Sequence, residues 1–376
     1  MSLLCTEIGR GHPFYLEGLI AALRTAGRDD LTARRSNVFD ASRGLARAAW
    51  RAVRATYLLA GRGGLVAAAY GRARGGLRYD EPSPALALLG RDLRRWAGRE
   101  GIVVVDHPLL VGALQPRRDV WYVHGEVVVP PEAIVRSAAA ILVPWASTAQ
   151  SFVDGGVARD RLVITGLCVD PLLARRAQAA RARRRARLEG TAPLTVAVFS
   201  SGAEPMHHVR ALSAAAVALT RAGHRVLVFA RQGGRLQRAV TARAAGGIGP
   251  RLVSFSDRDQ LDRRTAAHFD RLDLTIGPPH ERTSWALALG LPMLVVGPDV
   301  GTFAPLNRAV LTEAGVARAL EAVASDPSQL AGRLDALRRD GALTRMLDHG
   351  TGPRFDGFRR AAEALVAAAA SRTHPG

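Results

Sequence analysis

The sequence predicts an α/β chain of two doubly wound, Rossmann-like domains, and three observations predict it. Short apolar runs alternate with helix-patterned segments at βα spacing. The scheme occurs twice along the chain. At about 100–200 residues per domain, 376 residues make two or three ordinary domains. With 48% hydrophobic and 23% charged residues, disorder over most of the chain is excluded. Aromatics are only 5%, against 38 Gly and 20 Pro, so the core is expected to be Ala, Leu and Val cut by many turns.

In the first half, Ser2–Thr6 reads as a buried strand, followed by a Gly-rich turn and a helix over Pro13–Ala26. Pro13 sets the first helical turn and Gly27 stops the helix. Further strands are expected at Ile102–Val105, Val120–His124, Ala140–Val143 and Leu162–Thr165. The second half repeats the scheme with strands at Leu194–Phe199, Arg225–Ala230, Leu252–Phe255, Leu272–Ile276 and Met293–Val296. Its helices fall near His207–Ala222, Thr283–Leu289 and Pro305–Ala314. The boundaries that result are a first domain over 1–172, a linker over 173–190, a second domain over 191–350 and a C-terminal helix and tail over 351–376. Ligands of open α/β sheets bind outside the carboxyl ends of the strands. Two such domains facing each other would place the site in the cleft between them.

All 52 basic residues are Arg, and the formal charge is +19. Part of this looks like codon usage in a GC-rich genome, but a basic excess also favours anionic partners. The segment ARRAQAARARRRARLEG, residues 174–190, has no apolar stripe. Its arginines could form a headgroup or nucleic-acid patch, but a solvated linker helix is the favoured reading. RNA-binding motifs with interleaved aromatics are absent, so nucleic acid is not an expected partner.

Residues 42–79 fit neither Rossmann half. On a helix, Leu45, Ala49, Ala52, Val53, Thr56 and Tyr57 form one side, and Arg43, Arg47, Arg51 and Arg54 spread over the rest. That suits either an interfacial membrane helix or a helical hairpin packed on its own domain. No apolar run reaches the ~18–20 residues that span a bilayer, and MSLLCTEIGRGHPFY lacks signal-peptide features. The expectation is a cytoplasmic protein, peripheral on the inner face of the membrane. Cys5 and Cys168 match no metal or redox spacing.

Three segments carry candidate chemistry. Gly9-Arg10-Gly11-His12-Pro13 joins the first strand to the first helix. Gly9 and Gly11 let the backbone approach a bound group, and His12 has the ring to act as a general base at a strand's carboxyl end. Ser200-Ser201-Gly202-Ala203-Glu204 is the equivalent turn of the second half, where small residues can cradle a diphosphate through backbone N–H groups. The run from Thr275 to Ala317 sets a Gly-Pro turn after a strand, a short helix, Gly290-Leu291-Pro292, another strand, and a loop and helix carrying Asn307.

Taken in register, these pieces resemble the family 28 glycosyltransferases of the GT-B fold. Nearest among these are the monogalactosyldiacylglycerol synthases and the processive diacylglycerol glucosyltransferases, with the peptidoglycan N-acetylglucosaminyltransferase more distant. IGRGHPFYLEGLIAAL resembles the family's Gly-x-Gly-His loop, VVVDHPLLVGAL its His-Pro segment, and GVARDRLVITGLCVDPLL the exit from the first domain. FSSGAEPM resembles its phosphate loop, and the block from Gly277 to Ala317 its donor-binding region. The basic insertion falls where those enzymes dock on the membrane.

The resemblance implies inverting transfer of a sugar from a nucleotide-diphosphate donor, UDP by expectation, to a lipid or other hydrophobic acceptor. His12 would deprotonate the acceptor, with Asp106 and His107 placing it or sharing the base role. The donor would contact Gly9, Gly11, Ser200, Ser201, Gly202, Ala203, Glu204, Gly277, Glu281, Thr283, Ser284, Trp285 and Asn307. No metal or other cofactor is implied, since arginines and helix ends supply the positive charge. One position departs from the family pattern. Trp285 stands seven residues before Pro292, where a Glu binds the ribose hydroxyls, and an indole can only stack or donate once. An altered donor or a loss of activity would follow. Two alternatives stay open: a non-catalytic scaffold for anionic lipid, and a nucleotide-sugar 2-epimerase, which needs several carboxylates and a histidine around the sugar.

Overall fold

The computed structural model describes the chain apart from residues 9–10, 62–68, 71, 73–75, 77, 281, 324–325, 351–354 and 374–376. It divides into two compact units, one built from Met1–Ala60, Ala68–Val169 and Arg354–Gly376, the other from Asp170–Pro353.

The first unit holds a parallel sheet of six strands: β1 (Ser2–Cys5), β2 (Arg34–Asn37), β3 (Val103–Val105), β4 (Val120–Val123), β5 (Ala140–Val143) and β6 (Leu162–Ile164), in the order β2-β1-β3-β4-β5-β6. The second holds β7 (Thr195–Phe199), β8 (Arg225–Arg231), β9 (Arg251–Phe255), β10 (Leu274–Gly277), β11 (Met293–Val295) and β12 (Ala317–Ala319), in the order β12-β11-β10-β7-β8-β9. The central strands read as continuous apolar runs because helices cover both faces of a parallel sheet. Val103–Val105 and Thr195–Phe199 are buried throughout. In each sheet the strand order reverses beside the first strand, between β1 and β3 and between β7 and β10. Those reversals are the switch points at which doubly wound sheets bind ligands.

Ten strands fall on the apolar runs of the sequence, with boundaries shifted by one or two residues. The two that the sequence hides are the edge strands β2, RRSN, and β12, ARA, which lack an apolar run, while the opposite edges β6 and β9 have one. Helix starts follow local chemistry. Ser83 accepts from the Leu86 amide ahead of Pro84–Ala97, and Asp257 accepts from Gln260 ahead of Arg258–His268.

Three expectations about organisation change. The segment read as a solvated linker helix is a helix, Ala177–Glu189, but it is packed inside the second unit. Its Arg184 is fully buried and donates to the carbonyls of Leu272, Leu289 and Gly290 at 2.7, 2.9 and 2.8 Å, with its guanidinium 5.3 Å from the Phe269 ring centroid. Burial presses the Arg184 pKa down to about 9. Charge in a sequence is therefore no guide to exposure when three carbonyls wait for a guanidinium. The C-terminal helix Gly357–Thr373 belongs to the first unit. Phe358 packs edge-on to Phe14 at 5.3 Å, and a Cβ on Gly18 would lie 2.2 Å from its ring, so only glycine lets the helices approach.

The helix of the basic insertion, Gly44–Ala60, turns inward only part of the expected side: Ala49, Val53 and Tyr57 are half-buried against the core. Ala46 and Trp50 are buried, the indole donates to the Leu89 carbonyl at 3.1 Å, and Leu45, Ala52 and Thr56 are exposed. The bulk of Trp50 sets the rotation, because its ring fills the space against Pro84–Ala97. The rest of the 42–79 insertion lies largely outside the described residues.

Candidate functional site

At the switch point of the first unit, β1 ends in Thr6 and Glu7, the latter with a left-handed φ of 47°. Gly9 lies outside the described residues. Gly11 opens the helix Gly11–Thr25, and His12 sits in its first turn. His12 Nδ1 lies 3.0 Å from the carbonyl oxygen of Asp106. A carbonyl only accepts, so Nδ1 carries the proton, and in the neutral ring Nε2 holds the lone pair. His107 has the opposite tautomer. Its Nδ1 accepts the Leu109 amide at 3.1 Å as the cap of the helix Pro108–Ala113, so Nε2 carries the proton. The two ring centroids are 4.4 Å apart. Side by side are thus a ring whose Nε2 can accept and a ring whose Nε2–H can donate.

Asp106 serves differently from the base-sharing role the resemblance implied. Its carboxylate is fully buried and accepts the Thr6 amide at 3.1 and 3.3 Å, which fastens the ends of β1 and β3 together. Burial pushes its pKa up to about 8. Its backbone carbonyl, not its carboxyl group, orients His12.

The sequence reading passed over His124, Glu126 and Glu132. His124 ends β4 and is buried, with Nε2 donating to the Val128 carbonyl at 3.0 Å and Nδ1 receiving the Tyr122 hydroxyl at 2.9 Å. With both nitrogens used and burial pressing its pKa down to about 3, it is a neutral framework residue. Glu126 is half-buried and Glu132 is buried, 1% exposed. The signal that could have found them is the repeat of one pattern, a polar pair straight after a buried strand: Asp106-His107 after β3 and His124-Gly125-Glu126 after β4.

In the second unit the switch point lies between β7 and β10. Ser200 closes β7 with a buried Oγ that has no hydrogen-bond partner among the described residues, and Ser201, Gly202 and Ala203 continue the turn. Glu204, expected in the phosphate loop, turns away from it. At a φ of 46°, its carboxylate accepts the Arg235 amide at 2.5 Å, where the helix Arg235–Ala244 begins. On the β10 side, Gly277 is followed by a loop that Asn307 and Thr283 hold. Asn307, buried, donates to the Pro279 carbonyl at 3.1 Å, and the Thr283 hydroxyl donates to His280 at 2.6 Å. Glu281 is outside the described residues, and Ser284 stands next to Thr283 on the short helix Thr283–Leu289.

Trp285 is an element of packing. It meets Phe199 and Phe269 edge-on at 5.6 and 6.1 Å, and Arg282 lies 3.8 Å over the Phe199 ring and 5.2 Å from the indole. Arg282 is thereby held between two aromatic faces at the end of β10. His207 and His208 also escaped the sequence reading. His208 is buried and its Nε2 donates to the Pro298 carbonyl at 2.8 Å, while burial presses its pKa down to about 4. No cluster of metal-ligating residues occurs among the described residues, and none of their helices is long and apolar enough to cross a membrane.

No protein-family model matches the chain, and no curated protein does. Solved structures do. UDP-GlcNAc 2-epimerase from Neisseria meningitidis, bound to UDP-GlcNAc, is 10% identical with a TM-score of 0.56, over 98% of this chain and 99% of that one. A putative UDP-N-acetylglucosamine 2-epimerase from Listeria monocytogenes is 13% identical with a TM-score of 0.57, over 100% and 97%. The UDP-GlcNAc 2-epimerase of Methanocaldococcus jannaschii is 11% identical with a TM-score of 0.54, over 97% and 99%. At such identities the likeness is one of fold, and with the two six-stranded parallel sheets it shows that this chain has the two-domain, Rossmann-like GT-B fold.

Proposed function

We propose that this chain is an enzyme acting on a nucleotide sugar, with proton transfers carried by His12 and His107. The observation that carries the reading is the pair of opposite tautomers, 4.4 Å apart at a switch point, one ring able to take a proton and the other to give one. In the second unit, Ser200–Gly202 and Gly277–Ser284 would take the diphosphate, backbone N–H groups and Arg282 meeting its charge. Glu204 leaves that set, since its carboxylate is spent on the Arg235 amide.

Of the reactions the sequence raises, 2-epimerisation draws more support than transfer to a lipid. Inverting C2 needs one group to take its proton while the electron pair forms a C1=C2 bond and the nucleoside diphosphate leaves C1, and another to return a proton to the opposite face as the diphosphate adds back to C1; the two imidazoles would serve these two proton transfers. Glu126 and Glu132 add carboxylates in the same unit. The three solved structures named above, which match this chain nearly end to end, carry the name of UDP-GlcNAc 2-epimerase, one of them as putative. Transfer to a lipid remains the second reading. It is favoured by Leu45, Leu58 and Leu59, which are exposed on Gly44–Ala60 beside Arg51 and Arg54. In that reaction His12 would deprotonate the acceptor hydroxyl.

Proton NMR of UDP-GlcNAc with the protein in D2O separates the two. Appearance of the C2 epimer with deuterium at C2 is the expected result. Release of UDP only when lipid extract is added would establish transfer instead. No change with any common nucleotide sugar would leave the non-catalytic scaffold.

A further inference from the structure

One cavity of the first unit has no part in the chemistry above. It measures about 410 Å³, within the roughly 300–1,000 Å³ of small-molecule sites. Its walls come from two places. The helix Gly44–Ala60 contributes Arg47, Arg51 and Arg54, and the turn after β2 contributes Asn37, Phe39 and Asp40, with Glu7 from the end of β1. Arginines at spacings of four and three residues share one face of a helix, where like charges repel unless something anionic lies among them.

The wall is built with the charges in two groups. The Asn37 amide donates to Glu7 at 3.3 Å and to Asp40 at 2.8 Å, fixing the two carboxylates on one side. Arg47 approaches Asp40 at 3.8 Å. Arg54 lies 5.4 Å from the Phe39 ring centroid, which orients its guanidinium without neutralising it. Arg51 and Arg54 have no carboxylate partner among the described residues. Two unneutralised guanidinium groups match a dianion, and two carboxylates held by an amide match hydroxyl groups. A phosphomonoester carries both.

We infer that this cavity binds a phosphomonoester bearing hydroxyl groups, its phosphate on Arg51 and Arg54 and its hydroxyls toward Glu7 and Asp40. The inference does not depend on the epimerase reading. It assigns a second ligand site to the first unit, and Glu7 ties it to the strand end from which His12 follows. A soluble compound and a lipid headgroup share this chemistry.

Calorimetry with glycerol 3-phosphate as probe, in the absence of any nucleotide sugar, tests it. Binding is expected, weakening at least tenfold in an R51S/R54S variant and in high salt. E7Q is expected to weaken glycerol 3-phosphate while leaving inorganic phosphate unchanged. Both arginines are exposed, and an unchanged melting curve for the double variant confirms that the fold is intact. Sedimentation with phosphatidylcholine vesicles carrying phosphatidylinositol 4-phosphate, whose headgroup has both a phosphomonoester and free hydroxyls, competed away by glycerol 3-phosphate, would identify a headgroup as the source. Binding of the free compound without vesicle sedimentation would identify a soluble one. No binding of glycerol 3-phosphate, or equal binding by the double variant, overturns the inference.

Discussion

His12 donates its Nδ1 proton to the backbone carbonyl of Asp106 across 3.0 Å, and this one bond decides which nitrogen of the ring can act as a base. Replacing His12 by Ala is expected to lower turnover by roughly a hundredfold to ten-thousandfold, the range for a positioned acid or base, with nucleotide affinity nearly unchanged. His107→Ala should also lower turnover, because it removes the Nε2–H donor beside His12. Loss of binding with turnover of bound substrate intact in His12→Ala would assign the ring to packing.

The carboxyl group of Asp106 makes a separate prediction, on stability. Burial raises its pKa from 3.8 to about 8, so the folded chain holds a proton there that the unfolded chain gives up. The stability tied to this proton is whole below pH 3.8 and is lost as the pH rises through about 8. Asp106→Asn has no such proton to lose. Its stability relative to the wild type should rise across that window, by up to about 1.4 kcal/mol per pH unit. His124 works in the opposite sense. Its stability is present above pH 6.5 and lost as the pH falls through about 3, so urea titrations must compare the two chains at each pH. A constant difference from pH 4 to 8 would contradict the assignment.

Trp285→Glu restores the ribose-binding residue type of the resembled family, yet it should gain no nucleotide affinity. The indole is packed between Phe199, Phe269 and Arg282, and a glutamate there loses that packing. A cost of about 2–4 kcal/mol is expected for this half-buried ring. Thermal melting with calorimetry on UDP checks both parts, and tighter UDP binding would show that the loop can be rebuilt around a carboxylate.

Arg184→Met should destabilise the second unit by about 3–5 kcal/mol, because three buried carbonyls lose their donor together. Arg183→Met, one position along the same helix, changes a largely exposed side chain and should cost little. Equal effects of the two in denaturant unfolding would mean that the guanidinium of Arg184 contributes nothing beyond its charge.

How much of this was legible depended on the kind of signal. Buried parallel strands such as Val103–Val105 announce themselves as short apolar runs, although the same triplet at Val127–Val129 is not a strand. Their succession placed Gly11–His12, Asp106–His107, Ser200–Gly202 and Gly277 at the carboxyl ends of strands, and the strand order of the structure makes those ends the switch points. An edge strand without an apolar run, such as RRSN, does not announce itself, whereas the edges β6 and β9 do. Side-chain direction was equally hidden. Nothing in the sequence says that Glu204 turns to the Arg235 amide, that Arg184 faces inward, or that His12 and His107 hold their protons on different nitrogens. Each is set by a partner that is distant in the chain, or by a backbone group that carries no letter of its own.

The last helix, Gly357–Thr373, lies against Gly11–Thr25 through Phe358, Phe14 and the gap that Gly18 leaves. On the ribosome that helix emerges only after every residue of the second unit. The first unit therefore waits with one face of its earliest helix bare, and the second unit has emerged whole before the first is complete. Vectorial synthesis thus inverts the usual order, in which the domain nearest the N-terminus is finished before the next begins.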